Sequence, residues 1–101
     1  MTLAAHISED ELLAAITDAA TLYGWRWHHV RRSDRALQMG HPGFPDLTLA
    51  KNEVVLFWEL KGNKGKLSPD QEDWLVELPN GTVVYPYMLD WAIEQLRLRG
   101  E

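Results

Sequence analysis

The sequence contains no cysteine among its 101 residues, which excludes a disulfide framework, a zinc site built on thiolates and a cysteine nucleophile. It also lacks long hydrophobic runs. The apolar stretch VVLFW at 54–58 is far shorter than the roughly 20 residues of a membrane-spanning helix. The first residues show no basic segment followed by an apolar one, so we expect no signal peptide and a cytoplasmic location.

Positive charge is scarce, with 10 Lys and Arg against 15 Asp and Glu and a formal net charge of −5. This balance argues against a protein that holds nucleic acid by bulk charge. It is compatible with an enzyme whose site collects carboxylates. The remaining composition, 46% hydrophobic and 25% charged, is typical of a globular domain, and the length predicts that residues 1–101 form a single domain.

Hydrophobic periodicity and helix-capping signals predict the element order α-β-β-β-α-β-α. The predicted elements are a helix over 9–23, strands over 25–30, 46–50 and 54–61, a helix over 69–78, a strand over 82–87 and a helix over 90–99. The second and third strands form a hairpin. The third and fourth are joined through a helix, which predicts a parallel pair. The fold is therefore a small mixed α/β sheet flanked by helices.

Two acidic side chains and a lysine are predicted to meet on this sheet. Glu59 and Lys61 are two residues apart on one strand, so they share a face. A turn centred on Lys51 and Asn52 places position 46 opposite position 57, which brings Asp46 onto the face of Glu59, one diagonal step away.

Such a group has the chemistry of a divalent metal site. Two carboxylates, from Asp46 and Glu59, and the backbone carbonyl of Leu60 are oxygen ligands of the kind that Mg²⁺ or Mn²⁺ prefers. Lys61 adds a cation that can orient or deprotonate a water, or stabilise charge in a phosphoryl transition state.

Three segments, GFPD at 43–46, ELK at 59–61 and LSPDQ at 67–71, together resemble the VRR-NUC branch of the PD-(D/E)xK nuclease superfamily. The resemblance covers most of the chain. It implies a restriction-endonuclease-like α-β-β-β-α-β core with an extra C-terminal helix, and metal-dependent hydrolysis of DNA phosphodiester bonds. The chain is similar in size to the small stand-alone members of this family, many of which are phage proteins that act in the host cytoplasm. This similarity implies a homodimeric, structure-selective endonuclease of the Holliday-junction-resolving type.

Carried over residue by residue, the resemblance makes Asp46 and Glu59 metal ligands and Lys61 the catalytic lysine. It implies that Gln71 reaches back to the site from the second helix. It also implies that Glu11 is the carboxylate, and an additional metal ligand, from the first helix.

Helix capping offers a second interpretation for two of these residues. Glu11 and Gln71 each stand three residues after a serine, where a capping box places them, so a role limited to capping stays open for both. Glu9 or Asp10 replaces Glu11 if the phase of the first helix differs.

Basic residues are concentrated in two windows that hold seven of the 10 lysines and arginines. They are Arg26, Arg31, Arg32 and Arg35 in one window and Lys61, Lys64 and Lys66 in the other. We interpret the windows as two rims that grip DNA phosphates, with solvated loops as the alternative. His41 is a candidate for the cleft mouth. The neighbouring His28 and His29 face opposite sides of a strand, which argues against zinc, although one of them can approach phosphate.

Two functions are compatible with these residues. The favoured one is a Mg²⁺- or Mn²⁺-dependent endodeoxyribonuclease that acts on branched DNA, as a homodimer and away from membranes. The alternative is a non-catalytic DNA- or protein-binding module built on a nuclease-like fold, which the net acidity favours.

Overall fold

Helices and strands follow one another in the order that the sequence predicts. The computed structural model describes residues 6–30 and 39–101. Its elements are α1 (Glu9–Leu22), β1 (Arg26–His29), β2 (Leu47–Lys51), β3 (Val54–Leu60), α2 (Pro69–Glu77), β4 (Gly81–Val84), a short 3₁₀ helix (Pro86–Met88) and α3 (Leu89–Arg99). Across these described ranges, no helix combines the length and the hydropathy that crossing a bilayer requires.

The first helix begins at a capping box. The Glu11 amide donates to Ser8 Oγ, and the Ser8 amide donates to Glu11 Oε1, each at 3.1 Å. These bonds satisfy two amide groups that have no partner within the helix. Leu12, Ile16 and Ala20 then recur at four-residue spacing and are fully buried, so one stripe of α1 faces the core.

The sheet has the order β1-β2-β3-β4, and the predicted mixed topology is confirmed. β1 pairs antiparallel with β2, β2 antiparallel with β3, and β3 parallel with β4. The hairpin between β2 and β3 closes through Asn52 and Glu53, whose φ angles are +50° and +68°. Two successive residues at positive φ form the turn that matches the twist of a two-residue hairpin.

The predicted register of this hairpin is wrong by two residues. Lys51 pairs with Val54, and Leu47 pairs with Trp58, so the turn lies one residue later than expected and Asp46 lies level with Glu59 rather than with position 57. Side chains alternate with a period of two, so a two-residue shift keeps Asp46 on its predicted face. Lys51 stays in the strand, where its Nζ donates to the Tyr23 carbonyl at 2.6 Å.

The core lies on one face of the sheet, under α1 and α3. Its fully buried members on the strands are Leu47, Leu49, Leu56, Trp58, Leu60 and Val84. The opposite face carries α2, where Phe44 makes edge-on ring contacts with Phe57 and Trp74 at centroid distances of 5.9 and 5.0 Å. Glu59 and Phe57 alternate with Trp58 along β3 and therefore face α2.

Candidate active site

Asp46 is held between two strands at the start of β2. Its backbone carbonyl accepts a hydrogen bond from the Val30 amide at 2.9 Å, and its Oδ2 accepts one from the Leu60 amide at 3.3 Å. The residue is 8% exposed and follows the buried Pro45. These contacts fix the carboxylate beside the backbone of β3, at the level of Glu59.

Glu59 is the most deeply buried acidic side chain in the described ranges, at 1% exposure. Gln71 Nε2 donates to its Oε2 at 3.2 Å. Lys61 Nζ lies 3.5 Å from the same oxygen, and Lys61 is itself 8% exposed. A carboxylate removed from water requires such partners, because its lost hydration must be replaced.

Gln71 serves α2 and Glu59 at the same time. Its backbone amide donates to Ser68 Oγ at 3.2 Å, and its Oε1 accepts from the Ser68 amide at 2.9 Å. The amide nitrogen at the other end of the side chain reaches Glu59. The two interpretations left open by the sequence are therefore compatible for this residue, and its part in catalysis stays a prediction.

A close backbone approach brings the first and third motif segments together. Gly43 has a φ of +93°, and a Cβ built on it would lie 2.7 Å from the carbonyl carbon of Asp70 and 2.8 Å from the amide nitrogen of Gln71. Only glycine fits both the conformation and the space. The segment that leads to Asp46 thus rests directly on the first turn of α2.

The loop after β3 folds back over the Lys61 stem. The Gly65 amide donates to the Gly62 carbonyl at 2.9 Å, and a Cβ on Gly65 would lie 3.1 Å from Cβ and Cδ of Lys61. Lys64 and Lys66 are exposed on this loop. The loop therefore covers the aliphatic part of Lys61 and presents two further cations to solvent close to it.

A cleft of about 480 Å³ opens beside Asp46, between the start of α1 and the ends of β1 and β3. It is lined by Glu9, Asp10, Leu13, His29, Val30, Asp46 and Leu60. The Glu11 carboxylate points to the Ser8 amide instead. The structure thus brings the two alternatives, Glu9 and Asp10, to the cleft, and the metal-binding role of Glu11 stays a prediction.

Within the part of the chain that the structure describes, Arg26 and His41 lie apart from the Asp46 cleft. Arg26 pairs with Ala50, at the end of β1 far from Asp46. Arg31, Arg32 and Arg35 lie outside the described residues. His41 lines a separate groove of about 450 Å³ on α2, where its carbonyl accepts from Trp74 Nε1 at 3.2 Å.

His29 is the site residue that the sequence left undecided. The alternation of His28 and His29 indicates that one of the two turns towards a neighbouring element, and the pairing of His29 with Leu47 brings it to the Asp46 cleft. The signal that identifies it is the strand direction, because the C-terminal end of β1 meets the N-terminal end of β2 in an antiparallel pair.

The oxygen atoms that the sequence predicts as metal ligands belong to Asp46, Glu59 and the Leu60 carbonyl. Among residues 6–30 and 39–101, no three or more His, Asp or Glu side chains are arranged as a complete metal cage. Mg²⁺ usually binds proteins through one or two carboxylates and fills its remaining positions with water and substrate phosphate. Two carboxylates are therefore a sufficient protein contribution for this type of ion.

The family model described as the VRR-NUC domain matches residues 9–84, which runs from the first residue of α1 to the last residue of β4. This family belongs to the PD-(D/E)xK nuclease superfamily. The mixed sheet, its helices and the C-terminal helix fit the corresponding restriction-endonuclease-like core, and the match points to a nuclease, a hydrolase acting on DNA. No significant match was found among curated proteins or among solved structures.

Proposed function

The chain belongs to the VRR-NUC domain family, and on that premise we propose that it is a Mg²⁺- or Mn²⁺-dependent endonuclease that cleaves branched or otherwise structured DNA. The observation that carries the proposal is the state of Glu59. Its carboxylate is buried level with Asp46 and is held on one oxygen by Gln71 and Lys61. A carboxylate of purely structural value has little reason to be placed there at such a desolvation cost.

Asp46 and Glu59 would hold the metal ion, with the Leu60 carbonyl as a third oxygen. Both carboxylates are largely withdrawn from solvent, and hard oxygen donors suit Mg²⁺ and Mn²⁺. When bound, such an ion supplies Lewis-acid polarisation of the phosphate and lowers the pKa of a water.

The remaining chemistry belongs to the side chains of this chain. Lys61 would orient the attacking water and stabilise negative charge that develops on the phosphate in the transition state; its Nζ beside Glu59 Oε2 supports this role. Gln71 keeps Glu59 in a single orientation through its amide. Preorganisation of this kind lowers the barrier because no reorientation is needed during the reaction.

The protein would bind DNA through contacts with the sugar–phosphate backbone of the nucleic acid. Lys64 and Lys66 extend from the glycine-containing loop next to Lys61, and lysine contacts with phosphate position a duplex without reading its sequence. The formal net charge of −5 means that a few local lysines, and not a broadly basic surface, must contact the phosphates. Such contacts do not read bases, so we expect the protein to recognise the shape of the DNA. We include homodimerisation in the proposal, since two symmetric copies would present two sites to a Holliday junction.

The test is a cleavage assay with Mn²⁺ on linear, flapped, forked and four-way DNA, read as nicks on a denaturing gel. The wild-type protein should nick the branched substrates, and Asp46→Asn and Glu59→Gln should each abolish nicking. Glu94→Gln is the matched control, because it makes the same chemical change on the exposed side of α3, where Glu94 pairs with Arg97. Undiminished cleavage by Asp46→Asn or Glu59→Gln would refute the proposal, and binding without nicks would favour the non-catalytic module.

A further inference from the structure

Two tyrosines just after β4 form a stacked pair that the core does not require. The rings of Tyr85 and Tyr87 are nearly parallel, at 7°, with centroids 5.6 Å apart. Tyr85 is half-buried, whereas Tyr87 is 63% exposed. The two rings are therefore parallel and offset, and most of the Tyr87 side chain is open to solvent.

The pair lies beside the proposed catalytic lysine. β3 and β4 are parallel, with Leu60 paired to Val84, and the Lys61 amide donates to the Val84 carbonyl at 3.1 Å. If the register is continued by one residue beyond both strands, the backbone of Tyr85 lies level with the backbone of Lys61. The spacing of neighbouring strands, about 4.8 Å, then separates the two backbones.

Strand alternation places Tyr85 on the face of the sheet that carries the site. Leu60 and Val84 both point into the core. Lys61 and Tyr85 follow directly after the two strands, and Tyr85 keeps an extended backbone with φ −102° and ψ 161°. Alternation therefore turns both residues to the opposite face, where Lys61 contacts Glu59. Tyr87 adds a second ring to this aromatic surface.

We propose that Tyr85 and Tyr87 form a stacking platform for an unpaired nucleobase next to the phosphate that Lys61 contacts. The inference rests on the proposed endonuclease function and specifies its substrate class. A paired base inside a duplex is already covered on both faces, whereas an unpaired base at a fork or flap has a face free to stack on a protein ring. The platform would therefore select DNA that is unpaired beside the scissile phosphate.

Three other aromatic rings are exposed in the described ranges, and each is less suited to this role. Trp91 lies on α3 and packs against the buried Trp58, with ring centroids 5.8 Å apart. Trp27 lies on β1, three strands away from β4, and its Nε1 donates to Thr21 Oγ1 at 3.1 Å. Phe44 is occupied by edge-on contacts with Phe57 and Trp74. The tyrosine pair thus joins exposure to a position in register with Lys61.

The experiment measures DNA binding in EDTA, so that its result does not depend on cleavage. The probes are a forked oligonucleotide with 2-aminopurine at the first unpaired position, and the matching duplex. We expect the wild-type protein to bind the fork more tightly than the duplex and to quench the 2-aminopurine. Tyr87→Ala should weaken binding to the fork about tenfold, a typical loss for one stacked base, without weakening binding to the duplex.

Two further substitutions identify the chemistry. Tyr87→Phe keeps the ring and should retain the preference for the fork. Tyr87→Leu keeps apolar bulk without a flat ring and should lose the preference for the fork. This variant replaces Tyr87→Ala if thermal melting shows that the alanine variant is unfolded. Trp27→Ala, at an exposed aromatic of 44% exposure, is the control and should behave as wild type.

Several results would overturn the platform. The first is equal affinity of the wild-type protein for fork and duplex, and the second is an equal loss of affinity for both DNAs in Tyr87→Ala. The third is a loss of fork affinity in Tyr87→Phe as large as in Tyr87→Ala, which would indicate a contact between the hydroxyl and a phosphate. A fork preference that depends on Tyr87, combined with no nicking in Mn²⁺, would refute the endonuclease and keep the platform. If Tyr87→Ala and Tyr87→Leu nick forked DNA with an unchanged KM, the platform is refuted and the endonuclease is kept.

Discussion

The Glu59 carboxylate depends on its partners for stability as well as for orientation. It is almost completely removed from solvent, and both described contacts, from Gln71 and Lys61, converge on one oxygen. Removing one member of a buried ion pair leaves an uncompensated charge, whereas replacing both members by neutral groups costs much less. Stability and activity can therefore be separated at this site.

Lys61→Met should reduce the free energy of unfolding by roughly 3 kcal/mol, since it removes the cation that lies 3.5 Å from the buried carboxylate, and it should abolish nicking. The double variant Glu59→Gln, Lys61→Met should recover most of the lost stability while staying inactive. Urea denaturation gives the free energies. Equal stability of the single and double variants would show that the ion pair has no energetic role.

Gln71 is predicted to act on catalysis through Glu59 and not only through its helix. Gln71→Ala removes the cap and the hydrogen bond to Glu59, whereas Ser68→Ala removes the serine half of the capping box and keeps that hydrogen bond. Ser68→Ala should cost about 1 kcal/mol of stability. Gln71→Ala should cost more, because it also removes a hydrogen bond from the buried Glu59 carboxylate, and only Gln71→Ala should lower kcat. An equal fall in kcat for Ser68→Ala would restrict Gln71 to a structural role.

Capping boxes also explain why the sequence left a role limited to capping open for both Glu11 and Gln71. In each box the side chain supplies one oxygen to the serine amide. The glutamine amide has a second, donating end that remains available to a carboxylate, whereas the second oxygen of a glutamate can only accept. Side-chain chemistry thus lets Gln71 cap its helix and donate to Glu59 at the same time, and only tertiary structure shows that Glu9 and Asp10 line the cleft.

Among the elements, the β2–β3 hairpin was predictable in kind but not in register. Lys51, Asn52 and Glu53 offer two adjacent two-residue turns, and hydrophobic alternation distinguishes the faces of a strand without identifying the paired residue. The choice of Asn52 and Glu53 keeps Lys51 in the strand, where it binds the Tyr23 carbonyl. This contact joins residues far apart in sequence, so no local pattern could reveal it.

Strand direction explains the difference between the predicted and observed positions of Arg26. Counting charges in a window treats Arg26 and the residues after β1 as neighbours. On the strand, Arg26 lies opposite Ala50 while His29 lies opposite Leu47, so about 10 Å of extended chain separates Arg26 from the end that lines the cleft. A sequence window measures proximity along the chain and not across the sheet.

The contact between Gly43 and α2 should be essential for the relative placement of Asp46 and Gln71. Gly43→Ala would set a Cβ against backbone atoms that cannot rotate away, and we expect a loss of about 2 kcal/mol in stability together with reduced nicking. Gly40→Ala is the control, because Gly40 has a comparable φ of +103° with nothing within 4 Å of its Cβ position. Thermal melting and the cleavage assay report the two effects.

Equal losses in the Gly43→Ala and Gly40→Ala proteins would attribute the effect to the positive φ alone. A larger loss at Gly43 isolates the contribution of the close approach to Asp70 and Gln71.

For the whole molecule, divalent ions should stabilise the native state if Asp46 and Glu59 form a metal site. A ligand that binds only the folded protein at a concentration of 100 times its Kd adds about 2.7 kcal/mol. Mg²⁺, Mn²⁺ or Ca²⁺ should therefore raise the Tm of the wild-type protein and of Glu94→Gln, but not that of Asp46→Asn. A wild-type Tm that does not respond to any of the three ions would identify the site as a relic.

The double duty of the Gln71 amide has a consequence for the timing of activity. The side chain that starts the second helix also secures the buried carboxylate, so the two events are completed together. A nascent or partly denatured chain in which this helix has frayed lacks the hydrogen bond from Gln71 to that carboxylate. The proposed endonuclease should therefore gain full activity only when the second helix has formed.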